Sequence, residues 1–110
     1  MEGFVRGDII IIEFPYSDLK SVKRRPVLIL KVPKGEGIIV AQITGESYEK
    51  QVEIALEKED FKQGSLKRDS YVRMDKIASI EKVLIKYKAG SLKQEKSNEI
   101  IDKICSFLKN

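Results

Sequence analysis

Four isoleucines in succession, Ile9, Ile10, Ile11 and Ile12, constrain this chain more than any other feature. Each carries two heavy atoms on Cβ, which stiffens χ1, crowds a helical turn and suits a pleated strand. The run opens behind Gly7 and Asp8, continues to Phe14 and stops at Pro15, so a strand over 9–14 is expected, followed by a polar loop over 16–25. Pro26 starts a second apolar run at 27–32, because proline is tolerated at the first position of a strand. Pro33, Gly35 and Gly37 mark a turn, and 38–44 reads as a third strand; the second and third runs together suggest a hairpin.

Beyond a polar connection over 45–51, Val52, Ile54 and Leu56 alternate with Glu53 and Ala55, as a half-buried strand does. Residues 57–68 are mostly polar, with Phe61 expected to fold inward as an anchor. A short strand is expected at 70–74, continued by 77–80 after a kink, and another at 83–87 before Gly90 breaks the pattern. Ile100, Ile101, Ile104, Cys105, Phe107 and Leu108 recur at helical spacing, so a C-terminal helix is expected over about 92–108, with Cys105 in its core stripe. Short strands followed by one helix make a mainly β fold of the α+β kind, a small barrel or curled sheet closed by a helix. The 110 residues suit one domain, with no repeat or linker to divide them.

Composition narrows the chemistry. There is no histidine and one cysteine, which removes histidine acid–base pairs, Ser–His and Cys–His nucleophiles, the usual zinc sites and any internal disulfide. No metal and no cofactor is expected. Positions 1–6 carry no signal-peptide pattern and the apolar runs are too short to span a bilayer, so the expectation is a cytoplasmic protein with no membrane association. Twenty-one Lys and Arg against 17 Asp and Glu give a net charge of +4, which permits nucleic-acid binding. Lys20, Lys23, Arg24 and Arg25 concentrate that charge, while acids gather at Glu46, Glu49, Glu53, Glu57, Glu59 and Asp60.

Five stretches, in order and covering nearly the whole chain, resemble the MazF/PemK family (Kid-like and CcdB-like toxins). Gly7-Asp8 with the isoleucine run is similar to its opening strand. Lys23-Arg24-Arg25-Pro26-Val27-Leu28-Ile29-Leu30 resembles its "RRPALVL" motif, the most specific of the five. Val40-Ala41-Gln42-Ile43-Thr44 is similar to its strand ending in "PLT" or "AIT". The stretch from Ser70 to Glu81 resembles "DSVVRLDQIRTID", and Ala89-Gly90-Ser91-Leu92 resembles "IGRL". The chain departs from the pattern in a short first loop without the family's glycine-rich run or the histidine of some relatives, and in Ser91 where arginine is usual.

The resemblance implies one domain over 1–110, an SH3-like barrel over roughly 5–90 ahead of the helix, and a homodimer. It implies the toxin of a type II toxin–antitoxin system, a sequence-specific endoribonuclease held by a cognate antitoxin, here expected to be acidic. Cleavage of single-stranded RNA would run through attack of the 2′-OH on the adjacent phosphate, leaving a 2′,3′-cyclic phosphate and a 5′-OH. Two rivals stand beside it: a non-catalytic nucleic-acid or protein-binding module on the same barrel, and a gyrase-poisoning relative.

Arg25, Thr44 and Asp75 are the catalytic candidates. Arg25, held extended by Pro26, offers a planar fork for phosphate and for the charge of a pentavalent transition state. Thr44 offers a hydroxyl to phosphate. Arg73 and Asp75 share a face in a strand, offering one acid and one base, or an ordinary ion pair. The base stays open between Arg25 and Asp75. Ser17, Lys20, Lys23, Arg24 and Arg73 are the candidate RNA contacts; Tyr16 and Tyr71 either stack bases or pack in the barrel, and Asp8 either supports an arginine or caps its turn.

Overall fold

A computed structural model of the chain describes residues 3–15, 22–35 and 37–110. Seven antiparallel strands form one sheet: β1 (Asp8–Pro15), β2 (Val22–Lys31), β3 (Gly37–Thr44), β4 (Glu53–Leu56), β5 (Phe61–Gly64), β6 (Ser70–Glu81) and β7 (Ile85–Leu92). A helix, α1 (Gln94–Lys109), ends the chain. The strand order is β4-β6-β3-β2-β1-β7-β5.

That order forces the sheet to curl. β4 and β5 are its two edges, yet only the short turn Lys58–Asp60 joins Leu56 to Phe61. Seven flat strands would separate those edges by about 29 Å at about 4.8 Å per gap. A five-residue step reaches at most about 17 Å, so the edges must bend toward each other into a barrel-like wrap.

Both faces of the central strands are buried, which is why β1, β2 and β3 read as unbroken apolar runs. Ile9, Leu28, Leu30, Ala41, Ile43, Val72 and Met74 form one core with Ile100 and Ile104 of α1. Ile10, Ile12, Val27, Ile29, Ile38, Val40 and Ile80 form a second core on the other face. Fully burying an isoleucine stabilises by roughly 1.5–3 kcal/mol, so the isoleucine run works on both sides at once.

Phe61 packs partly buried against the first core, as the sequence suggested. Several expectations are corrected. β2 begins at Val22, so Pro26 lies within a strand and residues 22–25 are not loop. Pairing with β1 continues outward through Glu13↔Arg24 and Phe14↔Lys23, while pairing with β3 starts only at Val27, so at Pro26 that side is an edge where a missing N–H is tolerated. β7 runs through Gly90 instead of stopping there, because a Cβ at Gly90 would meet the Gln63 carbonyl of β5 at 2.7 Å and only glycine allows that approach. Leu92 ends β7 and α1 starts at Gln94. Cys105 is exposed, not core. The buried stripe of α1 centres on Ser97, Ile100 and Ile104, and at about 100° per residue Cys105 points roughly 100° or more away from it.

Candidate functional site

One rung crosses β3, β6 and β4. Arg25 faces Ile12 on β1, beyond the outermost β2–β3 pair Val27↔Gln42, and lines the same groove as Thr44 of β3. Thr44 faces Tyr71 on β6, and Tyr71 faces Ala55 on β4. Residues paired in this way project from the same face, so Thr44 and Tyr71 stand together, and Arg25 meets Thr44 in the groove.

Next to that rung β6 bulges. Between the pairs Ala41↔Ile77 and Ile43↔Val72, β3 supplies only Gln42 while β6 supplies residues 73–76. This is the kink expected between 74 and 77, and bulges of this sort re-aim side chains beside functional sites. Here the bulge carries Arg73 and Asp75. Arg73 donates from Nε to Asp75 Oδ1 at 2.9 Å and from Nη2 to Oδ2 at 2.7 Å. The Arg73 hydrogen bonds hold the Asp75 carboxyl below the usual carboxylate range, and Asp75 in turn raises Arg73, so both stay charged near neutrality.

A clamped loop borders the pair. The Glu53 carboxylate accepts from Ser47 Oγ at 2.7 Å, Tyr48 N at 2.6 Å and Glu49 N at 3.0 Å. The backbone N–H of Glu49 is the main cause of its lowered pKa, followed by Ser47, Tyr48 and the nearby Arg73 charge. Tyr48 lies exposed under Arg73, whose guanidinium carbon sits 6.0 Å from the ring centre. Thr44 Oγ1 both donates to the Glu46 carbonyl and accepts from Glu46 N at 3.3 Å, the long end of hydrogen bonding.

A groove of about 610 Å³ winds round the ends of β2 and β3. Arg24, Arg25, Lys67, Arg68 and Lys88 line it together with Thr44 and Gly45, and among the described residues no Asp or Glu does. Arg24 pairs with Glu13 at 3.2 Å and Lys88 with buried Asp8 at 3.5 Å. The Arg68 side chain lies over Gly45: a Cβ there would meet its Nε at 3.1 Å. Ser70 Oγ donates to the Arg68 carbonyl at 2.9 Å, and Gly64, at φ +72° and tight against the Ala89 carbonyl, fixes the start of the Arg68 loop.

The chain matches the model of the PemK-like, MazF-like toxins of type II toxin–antitoxin systems over residues 5–108. It belongs to that family. No curated protein matches it. Among solved structures it is similar to a mycobacterial endoribonuclease in complex with its cognate antitoxin, at 17% identity and TM-score 0.73 over 97% of this chain and 96% of that one. It is similar to the Mycobacterium tuberculosis toxin MazF-mt6 at 23% identity and TM-score 0.72, covering 93% and 96%. A further mycobacterial endoribonuclease gives 14% identity and TM-score 0.72, covering 97% and 91%. At these identities the likeness is one of fold, and it extends to the mainly β architecture with a single C-terminal helix.

In this MazF-like chain the sequence candidates divide into groups. Arg24, Arg25 and Thr44 share the groove. Arg73 and Asp75 share the bulge, bound to each other. Lys23 is exposed on β2 beside Arg24. Ser17, Lys20 and Tyr16 lie outside the described residues. Tyr71 is half-buried in the rung. Asp8 accepts from Val5 N at 3.0 Å and Ser91 Oγ at 2.8 Å, tying the start of β1 to β7. Ser91, standing where the family pattern has arginine, therefore belongs to a buried network. Lys67, Arg68 and Tyr48 lie in loops whose packing no periodicity records, and Lys88 reaches the groove through the pairing of β7 with β1, which no local signal shows. Among the described residues no three His, Cys, Asp or Glu side chains gather in a metal-binding arrangement. Among the described residues no helix is long and apolar enough to cross a membrane.

Proposed function

We propose that this chain is the RNA-cleaving toxin of its toxin–antitoxin pair, an endoribonuclease that acts on single-stranded RNA without a metal. The observation that carries the proposal is Arg25 together with Thr44 in a groove that, among the described residues, is lined by five cations and no carboxylate. Such a groove attracts a phosphate backbone and holds fixed positive charge where a transition state gains negative charge.

In this mechanism the Arg25 fork grips the non-bridging oxygens of the scissile phosphate and Thr44 Oγ1 gives them a further hydrogen bond. The 3.3 Å contacts of Thr44 to Glu46 are weak enough to be exchanged for a phosphate oxygen. The 2′ oxygen attacks phosphorus as the bond to the 5′ oxygen breaks, giving a 2′,3′-cyclic phosphate and a 5′-OH. Asp75 takes the 2′-OH proton: Arg73 keeps it ionised and so in its accepting form. Arg25 hydrogen-bonds the departing 5′ oxygen, which takes a proton from solvent water as it leaves, and the proton held by Asp75 returns to solvent. Lys23, Arg24, Arg68 and Lys88 carry flanking phosphates; Ser17 and Lys20, which lie outside the described residues, are proposed as further RNA contacts from the sequence alone.

The deciding experiment is incubation of the purified protein with long single-stranded RNAs in EDTA. Fragments ending in 2′,3′-cyclic phosphate are expected. Cleavage only with added divalent metal overturns the metal-free mechanism, and binding without cleavage makes the protein a nucleic-acid-binding module. We further propose a homodimer, since the edge strands β4 and β5 leave ladder groups that a second copy can cover. Light scattering should give twice the 12.6 kDa chain mass, and a monomer at micromolar concentration refutes it.

A further inference from the structure

Tyr48 is an exposed aromatic that is held still. The residue is 68% exposed. Yet its hydroxyl donates to Glu46 Oε1 at 2.9 Å, its backbone N–H donates to Glu53 at 2.6 Å, and Arg73 lies over its ring at 6.0 Å. Arg73 is itself locked by Asp75, so the stack Asp75–Arg73–Tyr48 is ordered from the bulge outward. Single exposed aromatics are common and usually free to change rotamer. This one is restrained at its hydroxyl, its backbone and near its ring, while most of its surface stays bare.

Its location adds meaning to that restraint. Tyr48 follows Thr44 by four residues, in the loop that Glu53 clamps. The charges of both Arg73, in the bulge, and Arg25, in the groove, reach its hydroxyl. The Glu46 hydrogen bond raises its pKa, keeping it a protonated donor. A neutral, flat, preordered ring beside phosphate-binding arginines is the arrangement with which proteins take an unpaired base: cations follow the backbone while the aromatic stacks the base.

We infer that Tyr48 is a stacking platform for one unpaired nucleobase next to the cleaved phosphate, fixed by Glu46, Glu53 and Arg73. The inference rests on the RNA-cleaving function proposed above and names a recognition element within it. Stacking tolerates every base, so Tyr48 sets the geometry of a flanking nucleotide and leaves discrimination between bases to hydrogen-bonding groups nearby.

The test uses a cleavable RNA oligonucleotide and its uncleavable counterpart, 2′-deoxy at the cut position. Binding of the latter to the full chain is followed by fluorescence anisotropy. Tyr48→Ala and Tyr48→Leu should each weaken binding about tenfold or more, while Tyr48→Phe and Tyr48→Trp, which keep a ring, should stay much closer to wild type. Abasic substitution along the oligonucleotide should find one position where wild type loses a similar factor and Tyr48→Ala loses no more. Equal binding by wild type and Tyr48→Ala overturns the inference, as do abasic losses that simply multiply with the Tyr48→Ala loss. If wild type cleaves RNA normally but these signatures are missing, only the stacking role falls. If they are present but no RNA is cut, the cleavage proposal falls and the stacking role stands. A wild type that binds no RNA removes both. Loss of dimer mass or antitoxin binding in Tyr48→Ala, with RNA affinity intact, makes Tyr48 a protein contact and overturns the inference.

Discussion

Arg73 and Asp75 are joined by two parallel hydrogen bonds of 2.9 and 2.7 Å across the single residue Met74, inside the bulge of β6. A bidentate Arg–carboxylate pair is stronger and more exactly oriented than a single contact. Its chief consequence here is electrostatic: the Arg73 hydrogen bonds pull the Asp75 pKa down.

The first prediction follows from that direction. If Asp75 accepts the 2′-OH proton, kcat/KM rises with pH as Asp75 ionises. Because its pKa is lowered, that acidic limb lies below the usual carboxylate range. Arg73→Gln removes the cause, so the limb should move to higher pH. Stability has a matching sign: a depressed folded pKa contributes stability that is present above the unfolded pKa and lost as pH falls through the folded one. A pH–rate profile of wild type and Arg73→Gln checks the shift. Identical acidic limbs would show that Asp75 is not the base.

The second prediction concerns Arg25. Arg25→Ala should slow cleavage roughly 100-fold or more, the scale of removing a charge-stabilising group aimed at the transition state. Arg25→Lys should also be poor, since lysine keeps the charge but lacks the planar fork. Single-turnover kinetics with saturating enzyme separates this from weaker binding. Near-normal turnover in Arg25→Ala sinks the assignment.

Arg68 should behave differently. It lies over Gly45 on the groove wall, and among the described residues no carboxylate pairs with it. As a contact to a flanking phosphate, Arg68→Ala should weaken RNA binding and reduce the slope of log affinity against log salt by about 1. The rate of bound RNA should change much less than in Arg25→Ala. An unchanged salt slope refutes the contact.

Much of this was legible in the residues. The isoleucine run, the apolar stretch after Pro26 and the terminal helix each carry a strong local preference, and each became an element. The shared face of Arg73 and Asp75 was visible from their spacing, as was the interruption between 74 and 77. What stayed hidden depends on contacts between distant segments. No local signal shows that β5 pairs with β7, or that Gly90 is small because Gln63 approaches it. Arg68 entered the groove only once Gly64 and Ser70 had fixed its loop. Tyr48 looked like an ordinary polar-loop tyrosine until Glu53 drew that loop back toward the bulge. Pro26 misled for a physical reason: the hairpin pairing of β1 and β2 extends past it, and the local preference for a strand start gave way to cross-strand pairs such as Glu13–Arg24.

The last prediction concerns the antitoxin. A groove lined, among the described residues, by five cations and no carboxylate fits an acidic, largely disordered segment that folds as it binds and sets carboxylates near Arg25. Such a segment would occupy the phosphate positions, so antitoxin and RNA should compete. Their affinities should both fall with added salt, because they use the same exposed charges. Titrating the neighbouring acidic gene product into a cleavage reaction checks this, and tight binding with cleavage unchanged would place its site elsewhere. Charge reversal gives an independent check. Arg24→Glu leaves its present partner Glu13 facing a like charge at the groove wall, and Arg68→Glu places a negative charge over Gly45. Both substitutions should lower antitoxin affinity and RNA cleavage together. A variant that loses the antitoxin but still cuts RNA at the normal rate would separate the two surfaces, and the inhibitor would then act from outside the groove.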